Sequence, residues 1–258
     1  MADLKRKLAE NLRSVRDRID QACADANRTP ATVRLVGVTK YVGIDIIKLL
    51  AEAGLSDLAE SRVQELSKRA AMLNEFLGRR ARDVASGAMP RPTWHMVGHL
   101  QRNKVKSVLP WVDVIHSVDS LRLAEDISAQ AGKLDRKVDV LMQVNAGGEQ
   151  TKFGVAVGAA THLAELIAPL PNISLCGLMT MAPYTEDRGR IYDCFTRCRE
   201  LFDEIYHEVG VGEQFRHLSM GMSHDFEVAI ACGATMIRIG TALFEDLPVT
   251  DTAETADA

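Results

Sequence analysis

Eight short apolar segments, separated by longer amphipathic stretches, constrain the fold of this chain more than any other feature. The segments are VRLVGV (33–38), SDLA (56–59), TWHMVG (93–98), VDVIHSV (112–118), VDVLMQVN (138–145), ISLCGLMT (173–180), FRHLSM (215–220) and TMIRIG (235–240). Alternation of strand-like and helix-like sequence implies parallel strands joined by helical crossovers. Eight such units in 258 residues predict an α/β fold, a single closed (β/α)8 TIM barrel.

The stretches between the apolar segments have the three- and four-residue spacing of apolar side chains that is typical of helices. They predict helices over 44–53, 62–77, 121–131, 159–167, 190–209 and 225–232. The first 26 residues have the same spacing and predict an extra N-terminal helix. A doubly wound open sheet is the alternative topology, but no GxGxxG motif follows the first strand.

No shift in composition divides the chain, so we expect one barrel domain over 1–245. The segment 246–258 is polar and acidic and is predicted to be a disordered tail. The segment 78–92 holds Gly, Pro and four arginines and is predicted to be an exposed loop. A basic loop can meet phosphate or nucleic acid, although a solvated loop is the commoner outcome.

Charge and composition exclude several classes of protein. The 31 Lys and Arg against 35 Asp and Glu give a net charge of −4, which does not indicate a nucleic-acid binder. No apolar run approaches the roughly 20 residues of a membrane helix, and the N-terminus lacks the apolar core of a signal peptide. We therefore expect a cytoplasmic protein.

The metal-binding residue types do not occur in a pattern that indicates a metal site. The five cysteines form no CxxC pair, and we interpret them as buried, inert thiols without disulfides. Cys194 and Cys198 lie four residues apart, but no His or third Cys completes a set nearby. His95 is predicted to be a hydrogen-bonded core histidine, and His99 is placed where it could line the barrel mouth.

Lys40 directly follows the first apolar segment. Functional side chains of such barrels lie at the carboxyl ends of the strands, so its amine is predicted at the barrel mouth. A neutral lysine amine is a nucleophile toward aldehydes and ketones, with which it forms Schiff bases. By itself, a lysine at a strand end more often reaches into water, so this interpretation depends on its neighbours.

Two neighbouring strand ends carry residues suited to phosphate. Ser219 and Ser223 flank Gly221 at the end of the seventh apolar segment, and Gly240 and Thr241 end the eighth. Backbone amides and hydroxyls at such turns favour a phosphate dianion, and barrels often bind phosphate after strands seven and eight. The alternative is ordinary turn and capping chemistry, in which Gly and Ser are common.

Arg238 interrupts the otherwise apolar run MIRI. Arginine is almost never buried without a partner, so an inward Arg238 requires a polar partner in the barrel mouth, and a ligand ring nitrogen or a carboxylate would serve. A Schiff-base lysine, a phosphate cradle and an inward arginine match the aldehyde, the phosphate and the ring nitrogen of pyridoxal 5′-phosphate. We therefore predict this molecule as the cofactor.

These residues stand in longer motifs that run from Leu35 to Phe244. The motifs are LVGVTK (35–40), AESRVQE (59–65), WHMVGHLQRNK (94–104), IHSVDS (115–120), QVNAGGEQTKFGV (143–155), GLMTMAP (177–183) and HLSMGMSHDFEVAIACGATMIRIGTALF (217–244). In these motifs the sequence resembles the pyridoxal phosphate homeostasis proteins, the YggS/PROSC family. Their fold is the barrel of the N-terminal domain of alanine racemase.

The resemblance implies a role for each candidate residue. It implies that Lys40 forms the Schiff base and that Arg238 faces the ring nitrogen. It places the phosphate among Ser219, Gly240, Thr241 and Ser223. The family usually reads Gly-Glu-Asn where this chain has Ala59-Glu60-Ser61, so Ser61 stands where an asparagine lies near the cofactor.

We favour a protein that carries pyridoxal phosphate in vitamin B6 homeostasis, without catalytic turnover. We expect it to be a monomer whose partners are B6 vitamers and apo-enzymes. An arginine opposite the ring nitrogen makes the ring a weaker electron sink. We also expect no room after Phe244 for the second domain that gives two-domain racemases their second base. One alternative is a pyridoxal-phosphate-dependent racemase or similar proton-transfer enzyme with weak activity, and another is an aldolase-like barrel for sugar phosphates.

Overall fold

The eight apolar segments form eight parallel strands that close into a barrel. The computed structural model describes residues 2–82, 89–149 and 152–248. The barrel strands are β1 (Arg34–Val38), β2 (Asp57–Glu60), β3 (Thr93–Met96), β4 (Val114–Val118), β5 (Val138–Asn145), β6 (Ile173–Met179), β7 (His217–Ser219) and β8 (Met236–Ile239). Neighbours pair in chain order, and β8 pairs with β1 to close the ring. The predicted fold is confirmed, and the open sheet is excluded.

Helices surround the barrel wall. They are α1 (Ala2–Asp25), α2 (Ile44–Glu52), α3 (Val63–Arg82), α4 (Val105–Val108), α5 (Leu121–Gly132), α6 (Val157–Ile167), α7 (Arg188–Glu208) and α8 (Phe226–Ala231). Seven of these were predicted. Two elements were not predicted: α4, which is a single turn, and a two-residue strand at Val155–Ala156 that pairs with the end of β5.

Helix α3 corrects one prediction. The segment 78–82 was expected to belong to an exposed loop, but it continues α3 by more than one turn. Arg79 pairs with Glu75 one turn earlier, and Arg80 pairs with Glu52 of α2 at 2.7 Å. Three arginines in the last turn also complement the partial negative charge at a helix C-terminus. Residues 83–88 of the expected loop lie outside the described residues.

The predicted tail begins as packed structure. Leu247 is buried, and the Asp246 carboxylate pairs with Lys7 of α1 at 2.9 Å. The Asn11 side chain of α1 donates to the backbone oxygens of Leu243 and Glu245. These contacts fasten the segment after β8 to the N-terminal helix, so residues 246–248 depart from the expected disorder. The rest of the predicted tail, 249–258, lies outside the described residues.

The barrel interior combines an apolar layer with buried polar groups. The apolar layer is formed by Val36, Ala59, Val114, Leu141, Cys176, Met179 and Met236. Among the buried side chains are also His95, His116, Ser219 and Arg238. Because buried polar groups are costly unless they are hydrogen-bonded, the interior has to provide partners for each of them.

All five cysteines are buried, as predicted, and none forms a disulfide. Burial raises the pKa of each thiol, that of Cys176 to about 11. None of the described helices is both long and apolar enough to cross a lipid bilayer.

The first prediction concerns acid stability. Burial lowers the pKa of His217 on β7 to about 4, and the nearby Arg34 and Arg216 add to the effect. Between pH 6.5 and 4 the unfolded chain therefore binds a proton that the folded chain does not, so the free energy of unfolding falls as the pH falls. In urea unfolding, H217N should reduce the loss of stability between pH 7 and pH 5 by about 1 kcal/mol, allowing for partial exposure.

His162 supplies the control for this measurement because it is exposed on α6. H162N should change the pH dependence less than H217N does, because its exposed contact with Glu165 contributes little to stability. The account is wrong if H217N and H162N have the same pH dependence.

Candidate functional site

A pocket of about 410 Å³ opens at the carboxyl ends of the barrel strands. Six of the seven predicted site residues line it: Lys40, Ser61, Ser223, Arg238, Gly240 and Thr241. The seventh, Ser219, is fully buried, and its hydroxyl bonds to Arg238. The structure therefore places Ser219 behind the pocket, where it supports Arg238.

A larger groove of about 590 Å³ lies on the outer wall, between α1, α7 and α8. Its polar side chains largely engage one another, for example Arg18 and Glu227 at 2.5 Å. We assign the functional site to the mouth because the candidate residues converge there, at the end of the barrel where chemistry is found in this fold.

Lys40 extends from the end of β1 into the mouth and is exposed there. Its Nζ lies 4.5 Å from the centre of the Tyr41 ring, which is a cation–π distance. The amine therefore occupies the predicted place, but it is not desolvated by burial in this structure.

A buried ion pair holds the backbone that carries Lys40. The Glu60 carboxylate accepts hydrogen bonds from the Thr39 hydroxyl and the Arg69 guanidinium. Arg69 also donates to the Thr39 carbonyl at 2.5 Å. Burial raises the pKa of Glu60, and Arg69 and Thr39 offset part of that rise. Thr39, the residue before the lysine, is thus fixed on both its side chain and its carbonyl.

The turn after β7 and the end of β8 form one polar corner of the pocket. The Ser223 hydroxyl accepts from the backbone N–H groups of Gly240 and Ala242, both at 3.4 Å. Gly221 has a φ of +94°, and a Cβ there would lie 2.7 Å from the Cβ of Ala229, so the turn requires glycine. The Asp225 carboxylate accepts from the Met222 N–H at 2.5 Å and closes this turn.

Arg238 is the buried cation of the site. Its Nη1 donates to the Ser219 hydroxyl at 2.7 Å, and its Nη2 donates to the Thr180 carbonyl at 2.9 Å. Burial lowers the pKa of the guanidinium to about 10, which leaves it charged at neutral pH. The predicted need for polar partners is met by these two oxygens, while the guanidinium still faces the pocket.

A chain of hydrogen bonds leads from Ser219 toward the opposite end of the barrel. His116 Nδ1 lies 2.9 Å from the Ser219 Oγ, and His116 Nε2 lies 2.9 Å from His95 Nδ1. His95 Nε2 lies 3.0 Å from Asp57 Oδ1, which confirms His95 as a hydrogen-bonded core histidine. Burial lowers the pKa of His116 well below its usual range.

The rim of the mouth is aromatic on one side. Phe153 is 56% exposed and stacks on His99, with ring centres 4.2 Å apart. His99 lines the pocket, as predicted, and its Nδ1 lies 3.7 Å from Asp119. Beside it, Gly98 packs directly on the Ser61 backbone, since a Cβ at Gly98 would lie 2.0 Å from the Ser61 oxygen.

Sequence reasoning missed Arg69, His116 and Asp57 as parts of the site. Two of them, Arg69 and His116, had a signal of the kind that identified Arg238. Arg69 stands on the apolar face of α3, and His116 interrupts the apolar strand β4. Within the residues that the structure describes, no group of three or more His, Cys, Asp or Glu side chains could hold a metal ion.

Comparisons with known proteins identify the family of this chain. The profile of the family "Alanine racemase, N-terminal domain" matches residues 6–248. A pyridoxal phosphate homeostasis protein of Aquifex aeolicus is 42% identical over 235 residues, which cover 91% of this chain and 96% of the relative. The corresponding protein of Pseudomonas aeruginosa is 37% identical and covers 92% and 94%. The chain belongs to the pyridoxal phosphate homeostasis protein family.

Solved structures agree with this membership. PipY of Synechococcus elongatus, solved with pyridoxal phosphate bound, superposes with a TM-score of 0.75 at 31% identity, covering 92% of this chain and 99% of PipY. An alanine racemase of Clostridium difficile has a TM-score of 0.68 at 18% identity. That alignment covers 95% of this homeostasis-family chain and 58% of the racemase. At this identity it shows a similarity of fold alone.

The ion pair behind Lys40 generates the second prediction. E60Q keeps the size of the side chain but removes the buried carboxylate that pairs with Arg69, both side chains being under 10% exposed, and leaves the guanidinium only the partly exposed Glu65 at 3.3 Å. Removal of one partner of a buried pair costs about 3 to 5 kcal/mol, so the free energy of unfolding should fall by about 3 kcal/mol.

Glu52 gives a matched control because it pairs with Arg80, also on α3, while partly exposed. E52Q should cost no more than about 1 kcal/mol. Equal losses in the two variants, measured by denaturant unfolding, would show that the Glu60 pair does not hold the Lys40 strand end.

Proposed function

We propose that this chain binds pyridoxal 5′-phosphate in the barrel mouth, as a Schiff base on Lys40, and acts in vitamin B6 homeostasis. The observation that supports this most is the convergence of Lys40, Arg238 and the Ser223 corner on one pocket. The chemistry of these groups fits the molecule: an amine for the aldehyde, hydroxyls and backbone N–H groups for the phosphate, and a cation for the ring nitrogen.

The relatives support the same assignment. The curated relatives carry the name pyridoxal phosphate homeostasis protein, and PipY has pyridoxal phosphate bound. Within the pocket we assign the phosphate to Ser223, Gly240 and Thr241, and the ring nitrogen to Arg238. Ser61 also lines the pocket, at the position where the family has an asparagine.

We propose that the protein carries the cofactor without catalytic turnover. When bound, pyridoxal phosphate supplies an aldehyde for imine formation and a ring that can accept electrons. A ring nitrogen that faces a guanidinium stays unprotonated, and the ring is then a weak electron sink. The exposed position of Lys40 also leaves the imine bond open to water and to incoming amines. Both features suit storage and release better than carbanion chemistry.

The exposed position of Lys40 also supports our proposal for the partners of this protein. We propose that apo-enzymes that need pyridoxal phosphate, and other B6 vitamers, reach the cofactor through this mouth. We further propose that the protein works as a cytoplasmic monomer, because the residues assigned to the cofactor come from one chain.

A weak racemase or related proton-transfer enzyme is the second candidate. It is favoured by one observation, the presence of the His99 and His224 imidazoles in the same pocket as the Lys40 amine. Two bases on opposite faces of a bound amino acid are what racemisation requires. Because the arginine weakens the electron sink, we expect no exchange of the amino-acid α-hydrogen at ordinary enzyme rates.

That expectation can be measured in deuterated water. The loaded protein is incubated with a panel of L-amino acids, and deuterium incorporation at the α-carbon is followed by proton NMR. Deuterium incorporation at turnover numbers near 1 per second or above lies in the usual range for enzymes. That result would overturn the carrier function in favour of the racemase.

The role of Lys40 gives a direct prediction. K40A should lose the visible absorption band that the unmodified protein shows with pyridoxal phosphate, because no imine can form. K152A is a matched control, since the Lys152 amine lies 2.9 Å from the Ala182 carbonyl and does not line the pocket. K152A should keep the band, and a band of full intensity in K40A would contradict the assignment.

A further inference from the structure

The hydrogen bonds behind Arg238 run in one direction, starting from the guanidinium. An arginine donates hydrogen bonds and cannot accept them, so Ser219 Oγ accepts from Arg238 Nη1 at 2.7 Å. The hydroxyl is fully buried and its own proton needs an acceptor. Among the described residues, the other side chain bonded to it is His116, whose Nδ1 lies 2.9 Å away.

The direction at Ser219 determines the two histidine tautomers. If His116 Nδ1 accepts from Ser219, the His116 proton is on Nε2 and is donated to His95 Nδ1 at 2.9 Å. His95 then carries its proton on Nε2 and donates it to the Asp57 carboxylate at 3.0 Å. The reverse direction would put a proton on both nitrogens of His95 and leave the Ser219 proton unaccepted.

The Asp57 end of this series of hydrogen bonds is suited to a negative charge. Burial alone would raise the pKa of Asp57, but hydrogen bonds from His95 and Ser56 lower it below its usual range. The Arg34 guanidinium lies 3.5 Å from the same carboxylate. Asp57 begins β2, whereas Lys40 follows the end of β1, so the charge lies at the barrel end away from the pocket.

We propose that His116, His95 and Asp57 are positioning residues for the cofactor site, which hold Arg238 in place through a one-directional hydrogen-bond relay. None of the three lines the pocket. The relay fixes the Ser219 hydroxyl on one side of the guanidinium, while the Thr180 carbonyl holds the other side at 2.9 Å. This inference rests on the proposed function, because it assigns the relay to the pyridoxal phosphate site.

The first test needs no cofactor. In the cofactor-free full chain, ¹⁵N NMR of the histidine rings reports which nitrogen carries the proton. The relay requires the Nε2–H tautomer at both His116 and His95 at pH 7.5. An Nδ1–H tautomer at either ring, or a doubly protonated His95, overturns the relay whether or not the protein binds pyridoxal phosphate.

The second test measures the cofactor. H116L and H95L keep the volume of the side chain but break the relay, so the dissociation constant of pyridoxal phosphate should rise about tenfold and the visible absorption maximum should shift. H217L is the control, because His217 is a partly buried histidine at the start of β7 and lies outside the relay. Its dissociation constant should stay within twofold and its absorption maximum should not move, even if its melting temperature falls.

The outcomes separate the two proposals. If the unmodified protein does not bind pyridoxal phosphate, the proposed function fails, and the NMR result alone decides the relay. If it binds and H95L has an unchanged dissociation constant and absorption maximum, the positioning role is overturned while the proposed function stands. Should a leucine variant not fold, D57N makes the same test, with at least a threefold rise expected and no change contradicting the proposal.

Discussion

Arg238 carries a positive charge inside a barrel whose interior layer is otherwise largely Val, Leu and Met. A buried charge persists only where hydrogen bonds and counter-charges replace the water that it has lost. Here the hydrogen bonds come from Ser219 and Thr180, and the nearby Asp225 carboxylate supplies negative charge. Ser219, His116, His95 and Asp57 form one connected set of hydrogen bonds with the guanidinium, which still faces the mouth.

The fold separates a rigid part of the site from an open one. The guanidinium is held by buried hydrogen bonds, the Ser223 corner by partly buried ones, and the strand end before Lys40 by the Glu60–Arg69 pair. The Lys40 side chain itself is exposed. A ligand held in this way would have its ring and phosphate fixed while its covalent bond stays accessible, which is the combination that a reversible carrier needs.

Much of this arrangement could be predicted from the sequence. The eight strands follow from apolar runs, since strands of a parallel barrel are largely buried on both faces and are therefore mostly apolar along their length. Lys40 and Arg238 were found because each breaks such a pattern at a strand end or within a strand. Arg69 and His116 break patterns in the same way, but their partners come from other strands and helices, and long-range pairings cannot be deduced from spacing.

Other features could not be predicted from patterns in the sequence. The continuation of α3 past Gly78 is accompanied by ion pairs of Arg79 with Glu75 and of Arg80 with Glu52 of another helix, and the second pairing is not visible in the local sequence. Ser219 fits the motif of a phosphate ligand, yet its hydroxyl bonds to Arg238 and His116. A motif identifies which residues belong to a site, whereas packing decides which of them line the pocket.

The central claim is that Lys40 anchors pyridoxal phosphate in the barrel mouth. The most direct measurement is to load the unmodified full chain, reduce it with borohydride and map the modified peptide by mass spectrometry. The account predicts one pyridoxyl-phosphate group per chain, on Lys40. Labelling spread over several lysines, or a protein that stays colourless and unlabelled, would contradict it.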